Sequence, residues 1–465
     1  MPTEFSSENR FLTAPTGRLF AANALPMLLI MTMSGLLNVV DAAFLGHFVG
    51  ADALTAVSIV FPAVMITIAL STLVSGGMSS LLARRLGAAS RDGAAAVFAH
   101  AHGLSLFVSL LLIATFAIGG RVAVERLSGG EANVAGMAYT YLSIMIFATP
   151  VQFLLGVHAD AWRNEGRAGL MAAMSVGVTL ANIALNYVLI VMLDFGVAGS
   201  AWGTVLAQSF GLALLVGIRL RGDDFLPLSS LLAHRWTGQW REMLSLGAPL
   251  SLSFIGIALV SATVIATLRL TAGEGYSDTV AAYGIVTRIL SFAFMPLMAI
   301  SLAMQAIVGN NVGAGLFRRS DAALRLAVMV SFAYCLGLEL LFIGLSEHIG
   351  ALFVGSDAVV TRTGAILRPM VSFYLFSGPV LVLALYFQAA GRPRRAALLT
   401  LVRPYLLVPV LIFALTATWG TQALWFAFPA GDAAVALIAG LIAFDGLKGS
   451  RAGTGFGLLP AADRV

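Results

Sequence analysis

Charge is scarce in this sequence. Only 11% of its 465 residues are charged and 59% are hydrophobic, whereas a typical soluble domain is about 25% charged. This composition excludes a disordered chain, a coiled coil and a nucleic-acid-binding module with a dispersed basic surface. Continuous apolar runs such as 104–118 and 176–193 instead indicate membrane-spanning helices, because the strands of a membrane β-barrel alternate apolar and polar residues.

Cysteine is nearly absent as well. The single cysteine, Cys335, excludes an intramolecular disulfide and a cysteine-based metal site. The sequence contains no Walker-type phosphate loop and no Gly-x-Ser-x-Gly elbow, and its six histidines form no metal-ligand pattern. We therefore expect a protein that is not an enzyme and that needs no cofactor.

The apolar segments are long enough to span a membrane as helices. They predict an all-α integral membrane protein with twelve transmembrane helices. The predicted spans are 19–48, 54–83, 94–119, 134–159, 168–192, 197–219, 243–270, 279–311, 321–345, 363–390, 396–418 and 421–444.

The basic residues predict the orientation of these spans. With the N-terminus in the cytoplasm, 20 of the 27 Lys and Arg residues fall in cytoplasmic segments and 4 in outer segments, which is a strong positive-inside bias. Arg10 and Arg18 precede an apolar run that is too long for a cleaved signal peptide. We expect a multi-pass protein of the cytoplasmic (inner) membrane with both termini in the cytoplasm, in contact with the bilayer and not with nucleic acid.

The two halves of the sequence resemble each other. Ala56 and Ala282 are 226 residues apart, Gly166 and Gly391 are 225 apart, and Trp202 and Trp425 are 223 apart. Nearly equal offsets predict a duplication into two six-helix bundles, related by a pseudo-twofold axis along the membrane normal. The predicted parts are a cytoplasmic tail (1–18), an N-lobe (19–220), a cytoplasmic linker (221–242), a C-lobe (243–445) and a second tail (446–465).

One acidic residue has polar neighbours at its own predicted depth. Asp41 lies about 33 Å along the first span, with Asn38 on the same face. Asn182 and Asn186 lie about 21 and 27 Å along the fifth span, and Thr204 lies about 10 Å below the outer surface. Carboxylate, amide and hydroxyl oxygens suit Na⁺ or a carboxylate that carries protons. The structural alternative is that the asparagines and the threonine only hydrogen-bond neighbouring helices.

Other residues inside predicted spans are weaker functional candidates. Asp432 and Glu339 are carboxylates at membrane depth, where charges are costly. Arg288 is a candidate partner for Asp432, whereas Glu339 lies near the outer end of its span and could reach the surface. Pro26 interrupts the hydrogen bonding of the helix that carries Asp41, so its bending could be coupled to protonation.

Several motifs resemble one transporter family along nearly the whole chain. The matching stretches are Asn38-Val-Val-Asp41-Ala-Ala-Phe-Leu-Gly46, Arg163-Asn-Glu-Gly166, Asn182-Ile-Ala-Leu-Asn186, Gly196-Val-Ala-Gly-Ser-Ala-Trp202, 296–315, Arg403, and 425–432. Their order and spacing resemble those of multidrug and toxic compound extrusion transporters.

This resemblance implies V-shaped lobes that export organic, often cationic and amphiphilic, compounds in antiport with H⁺ or Na⁺. The family's cation-site positions correspond to Asp41, Asn182, Asn186 and Thr204. One branch of the family has aspartate at the position of Asn186, so this chain keeps one carboxylate there. Spans seven and ten contain no carboxylate within them, which argues against a second coupling site. We expect a monomer that acts on small organic substrates.

Two other transport functions are alternatives. A lipid-linked saccharide flippase has a related membrane fold, but it would be favoured by a strongly cationic cavity, and the central spans contain few arginines. A major-facilitator uptake carrier would carry Asp-Arg with glycines between its second and third spans. This chain has Ala83-Arg-Arg-Leu-Gly87 at that place.

Overall fold

The computed structural model describes residues 9–128, 131–221, 225–271, 273–351, 357–451 and 455–457. Within these ranges every regular element is a helix. The α-helices are α1 (Arg10–Thr13), α2 (Thr16–Phe44), α3 (Ala51–Gly87), α4 (Arg91–Leu127), α5 (Ala132–Phe147), α6 (Thr149–Asn164), α7 (Ala168–Asn186), α8 (Gly196–Arg221), α9 (Ser230–Ala233), α10 (Trp240–Thr271), α11 (Tyr276–Gly313), α12 (Phe317–Ala351), α13 (Asp357–Val371), α14 (Ser377–Ala389), α15 (Pro393–Val402), α16 (Val408–Trp419) and α17 (Ala427–Arg451). Short 3₁₀ turns occupy Gly273–Gly275, Tyr374–Phe376 and Thr421–Phe426.

Three α-helices continue directly into wider π turns. These are π1 (Leu45–Val49) after α2, π2 (Tyr187–Met192) after α7, and π3 (Arg403–Leu407) after α15. A π turn is rare and changes the direction in which the following side chains point. Each of the three lies within a few residues of a charged or amide side chain that is discussed below.

The prediction of twelve membrane spans is confirmed. The described part of the chain contains ten helices long and apolar enough to cross a membrane, and two bent helix pairs that bring the number to twelve. The first pair, α5 and α6, bends by 47°, and Pro150 lies in the first turn of α6. The second pair, α13 and α14, bends by 49° at Phe373, whose φ is +72°.

Contacts divide the chain into two compact units. Unit 1 comprises 1–13 and 25–251, and unit 2 comprises 14–24 and 252–465. The helix α2 therefore contributes residues to both units, and Pro26 is the second residue on the unit 1 side. The helix α10 is divided in the same way two residues after Pro249.

Two helices of unit 1 cross at very short range. A Cβ atom added at Gly77 of α3 would lie 2.0 Å from the carbonyl oxygen of Met243, and one added at Gly247 of α10 would lie 1.9 Å from that of Leu73. Close approach of small residues is the usual source of helix association in a bilayer, where burying apolar surface gains little. Ser251 adds a hydrogen bond of 2.7 Å to the carbonyl of Ala69.

Two arginines that the topology prediction counts as cytoplasmic, Arg163 and Arg219, are buried in unit 1. Arg219 is 1% exposed and lies between the rings of Trp162 and Phe98, at 4.4 and 5.1 Å from their centroids. It pairs with Glu165 at 2.9 Å and donates to the Leu226 carbonyl over 2.7 Å. Arg219 thus joins α8 to the segment that follows it.

Candidate functional site

The four predicted site residues meet in unit 1. The side-chain nitrogen of Asn186 donates to Oδ1 of Asp41 over 2.6 Å. Asn186 is fully buried, at 0% exposure, and Asp41 is partly exposed. The carboxylate therefore lies at the edge of a buried polar cluster, with part of its surface exposed.

Asn182 links the carboxylate to Thr204. With its amide nitrogen toward Asp41, Asn182 donates to Oδ1 over 3.0 Å, and its oxygen lies 3.1 Å from Oγ of Thr204. The opposite orientation would set the amide oxygen against the carboxylate, so the first is favoured. The Thr204 hydroxyl also interacts with the carboxyl group of Asp41. Two amide N–H groups and one hydroxyl thus surround one carboxylate.

A glycine makes room for this arrangement. The Oδ1 atom of Asn186 is buried without a hydrogen-bond partner in the described structure, and a Cβ atom at Gly203 would lie 2.1 Å from it. Because Gly203 lacks a side chain, α8 can approach Asn186 closely while the amide nitrogen of Asn186 points at Asp41. The sequence prediction included Thr204 and missed this neighbouring glycine.

Tyr141 is a further neighbour that the sequence did not indicate. It lies on α5, is 8% exposed, and interacts electrostatically with Asp41. Tyr141 is nine residues from the start of α5 and Thr204 is eight residues from the start of α8. Both therefore lie roughly 12–14 Å along their helices, and this shared depth is the signal that could have identified Tyr141.

Two π turns border the cluster. Asn186 is the last residue of α7 before π2, and Asp41 is four residues before π1. π turns often occur at functional sites because they break the regular helical placement of side chains. Asn38 lies in α2, but its side chain is outside the described residues. Pro26 lies inside α2, and the adjacent Met27 contacts Arg163 through a 3.9 Å N–H···S interaction.

The suggested pairing of Arg288 with Asp432 is wrong. Asp432 instead pairs with Arg403, whose Nε contacts Oδ1 and whose Nη2 lies 3.2 Å from Oδ2. Arg403 is the first residue of π3 and contacts Asp432 of α17, whereas Arg288 lies on α11 and is exposed. The spacing of residues along separate helices carried no information about this partner.

Glu339 binds backbone rather than reaching the surface. Its two carboxylate oxygens accept hydrogen bonds from the amides of Phe373 and Leu375 at 3.3 and 2.8 Å. These amides lie at the bend between α13 and α14, where regular helical hydrogen bonding is interrupted. Glu339 thus satisfies donors that would otherwise be unpaired in an apolar surrounding.

The donor set at Asp41 fits a protonatable carboxylate better than a bound Na⁺. Sodium requires oxygen ligands, but Asn186 presents nitrogen to Asp41 and directs its oxygen at Gly203. The arrangement can stabilise a carboxylate and respond to its protonation.

A helical membrane protein with duplicated halves and a carboxylate enclosed by amides has the features of a secondary transporter. The chain belongs to the MatE family, whose model matches residues 26–188 and again 249–413. The two matches begin 223 and end 225 residues apart, which confirms the predicted duplication. The family consists of transporters and not of enzymes.

Curated relatives match most of the chain. The Probable multidrug resistance protein YoeA of Bacillus subtilis is 27% identical over 379 residues, which cover 79% of this chain and 80% of that protein. The Multidrug export protein MepA of Staphylococcus aureus is 23% identical over 439 residues, covering 93% of this chain and 95% of MepA.

Solved structures share the fold. A MOP superfamily transporter from Pyrococcus furiosus has a TM-score of 0.86 at 21% identity, and the match covers 97% of this chain and 99% of that one. A MATE crystal structure in the bent conformation has a TM-score of 0.86 at 22% identity, covering 97% and 100%. Both matches show that this chain has the same helical fold as these two structures.

Proposed function

We propose that the chain exports organic, often cationic and amphiphilic, compounds in antiport with a cation, H⁺ or Na⁺. The relatives named for multidrug export support the export function. The observation that carries the coupling mechanism is the hydrogen bond of 2.6 Å between Asn186 and Asp41. It holds a carboxylate in a polar cluster that neutralisation would disturb.

The proton is the favoured coupling ion. When Asp41 is ionised, its Oδ1 atom accepts hydrogen bonds from the amides of both asparagines. Proton binding removes the charge that these donors stabilise, and it weakens the link between α2 and α7. A Na⁺ ion would need at least one of these amides to turn its oxygen toward the ion.

Cation binding and compound binding oppose each other in the proposed cycle. A cation that enters from outside neutralises Asp41, α2 bends near Pro26, and the affinity for the exported compound falls. By linkage, the compound must lower the affinity for the cation by the same factor. Energy stored in the cation gradient thereby drives export.

The cycle requires the orientation predicted from the basic residues, with both termini in the cytoplasm. A single chain contains both units and the whole Asp41 cluster, so we propose that the monomer is functional. The chain would lie in the cytoplasmic membrane. Cysteine accessibility at positions 10 and 121 in intact cells, in a Cys335→Ser background, tests the orientation.

Transport in proteoliposomes tests the proposed function. An inward pH gradient and an inward Na⁺ gradient are imposed separately, and export of a fluorescent organic cation is followed with each. We expect the pH gradient to drive export and the Na⁺ gradient to have little effect at equal pH. Export that neither gradient accelerates would refute antiport, and export driven by Na⁺ alone would refute proton coupling.

A further inference from the structure

The ion pair between Arg403 and Asp432 lies at membrane depth in unit 2. Arg403 is ten residues along the span that begins at Pro393, and Asp432 is eleven residues along the span that begins at Thr421. Both lie roughly 15 Å from the ends of their spans. A charged pair in this position is costly and marks a functional path more often than it adds stability.

The two partners differ in accessibility. The side chain of Arg403 is 34% exposed, whereas that of Asp432 is 6% exposed. A charged side chain at membrane depth faces a bundle interior or a water-filled path rather than lipid. An incoming ligand therefore meets the guanidinium first, and the guanidinium has five N–H donors, of which the Asp432 contacts use only some.

The turn that carries Arg403 is anchored to α10, and other polar side chains lie near the pair. Pro404 follows Arg403 within π3, and the hydroxyl of Tyr405 donates to the Leu252 carbonyl over 2.9 Å. Tyr374 interacts electrostatically with both members of the pair, and Glu339 interacts with Asp432. Because Glu339 is bound by backbone amides, it is not free to replace Asp432 on the arginine.

We propose that the Arg403–Asp432 pair is a binding site for exported compounds that carry both a carboxylate and a cationic centre. The compound's carboxylate binds the accessible donors of Arg403, and its cationic centre is attracted to Asp432. All four charges are then paired, so the neutral compound enters without adding net charge to a poorly solvated site. This inference rests on the proposed export function and names one substrate class for it.

Binding of two matched dyes tests the site directly. One probe is a rhodamine with a free carboxylate, which is zwitterionic at neutral pH, and the other is its ethyl ester, which is a cation. Affinities are measured on purified protein in lipid nanodiscs, without any gradient. The informative quantity is the ratio of the ester's dissociation constant to that of the acid, because it cancels changes in the amount of folded protein.

The variants shift this ratio in opposite directions. Arg403→Gln leaves Asp432 free for the cationic ester, so the ratio falls about tenfold. Asp432→Asn leaves Arg403 free for a carboxylate, so the ratio rises about tenfold; both estimates assume one charge-assisted hydrogen bond. Arg121→Gln removes an equal charge from a side chain that is 78% exposed in unit 1, and the ratio stays at the wild-type value.

The double variant, Arg403→Gln with Asp432→Asn, keeps the test decisive if a single variant fails to fold. It replaces the ion pair by two amides of similar volume, and it binds acid and ester equally well. A ratio that remains within about twofold of wild type in the variants, or that shifts in the reverse direction, overturns the proposal. If the ratios shift as expected but no gradient drives export, the site stands and the proposed function fails.

Discussion

The side-chain nitrogen of Asn186 lies 2.6 Å from Oδ1 of Asp41, although the two residues are 145 positions apart in the chain. This contact joins α2 to the end of α7, where the helix widens into π2. In the proposed mechanism, this contact connects the charge state of Asp41 to the positions of the two helices. The predictions below test how this contact and the packing around it are maintained.

Gly203→Ala should damage the Asp41 cluster. The new Cβ would lie 2.1 Å from Oδ1 of Asn186, so Asn186 or α8 must move and the hydrogen bond to Asp41 lengthens. We expect gradient-driven export to fall at least about tenfold, which is the effect of losing roughly 1.4 kcal/mol. Initial rates in proteoliposomes measure it.

The matched control is Gly217→Ala on the same helix, where an added Cβ has no atom within 4 Å. That variant should export at the wild-type rate, because alanine is the better helix former and meets no neighbour. Equal activity of Gly203→Ala and Gly217→Ala would show that close packing at Gly203 does not support the site.

Much of this cluster was predictable from the sequence, because depth along a helix follows from counting residues. Asp41, Asn182, Asn186 and Thr204 were placed in one layer on that basis, and the structure brings them together. Gly203 was missed because a close approach between two helices depends on their crossing. The same limit applies to Tyr141, which comes from a third helix.

Lateral pairing between helices was not predictable. Arg288 was suggested as the partner of Asp432 because both lie inside predicted spans, but Arg403 is the partner. Spacing along one helix does not tell which residue of another helix lies beside it, and the π3 turn that begins at Arg403 is a departure from regular helix that the sequence did not predict. Counting charges placed Arg219 among the cytoplasmic basic residues, but it gave no sign of the contacts with Trp162 and Glu165 that bury its side chain.

Arg219→Gln should destabilise the protein strongly. Its partner Glu165 has a side chain that is only 1% exposed, so removing the guanidinium takes away an ion pair that is 2.9 Å long and buried. Breaking a buried pair in this way costs about 3–5 kcal/mol. Thermal unfolding in detergent should show a much lower midpoint than wild type.

Arg221→Gln is the control for that measurement, since Arg221 is exposed two residues further along α8. Its unfolding midpoint should match that of wild type. If Arg219→Gln were as stable as Arg221→Gln, the buried pair would not contribute to the stability of unit 1.

Gly247→Ala should disrupt the crossing of α3 and α10. The added Cβ would lie 1.9 Å from the backbone oxygen of Leu73, and a backbone atom cannot rotate away as a side chain can. We expect poor yield of folded protein by size-exclusion chromatography. Gly177→Ala, where an added Cβ has no atom within 4 Å, should leave the yield unchanged, and equal yields would contradict the close-crossing account.

Glu339→Gln should destabilise the bend between α13 and α14. The amide keeps one acceptor oxygen but turns an NH₂ group toward one of the two backbone N–H donors at Phe373 and Leu375. Leaving one of these donors unpaired in an apolar surrounding should cost about 1 kcal/mol, which is measured as a lower thermal midpoint. Glu131→Gln, at an exposed position, is the control and should unfold at the wild-type midpoint. Equal midpoints for Glu339→Gln and Glu131→Gln would show that the bend does not depend on Glu339.

The most direct test of the central claim is gradient-driven export by Asp41→Asn in proteoliposomes. Asparagine keeps the size of Asp41 and removes the charge and the titration, so we predict that a pH gradient no longer accelerates export while dye binding persists. Asp52→Asn is the control, because Asp52 is an exposed carboxylate at the start of α3 and its loss should leave export intact. Export by Asp41→Asn that still follows the gradient at the wild-type rate would contradict coupling at Asp41.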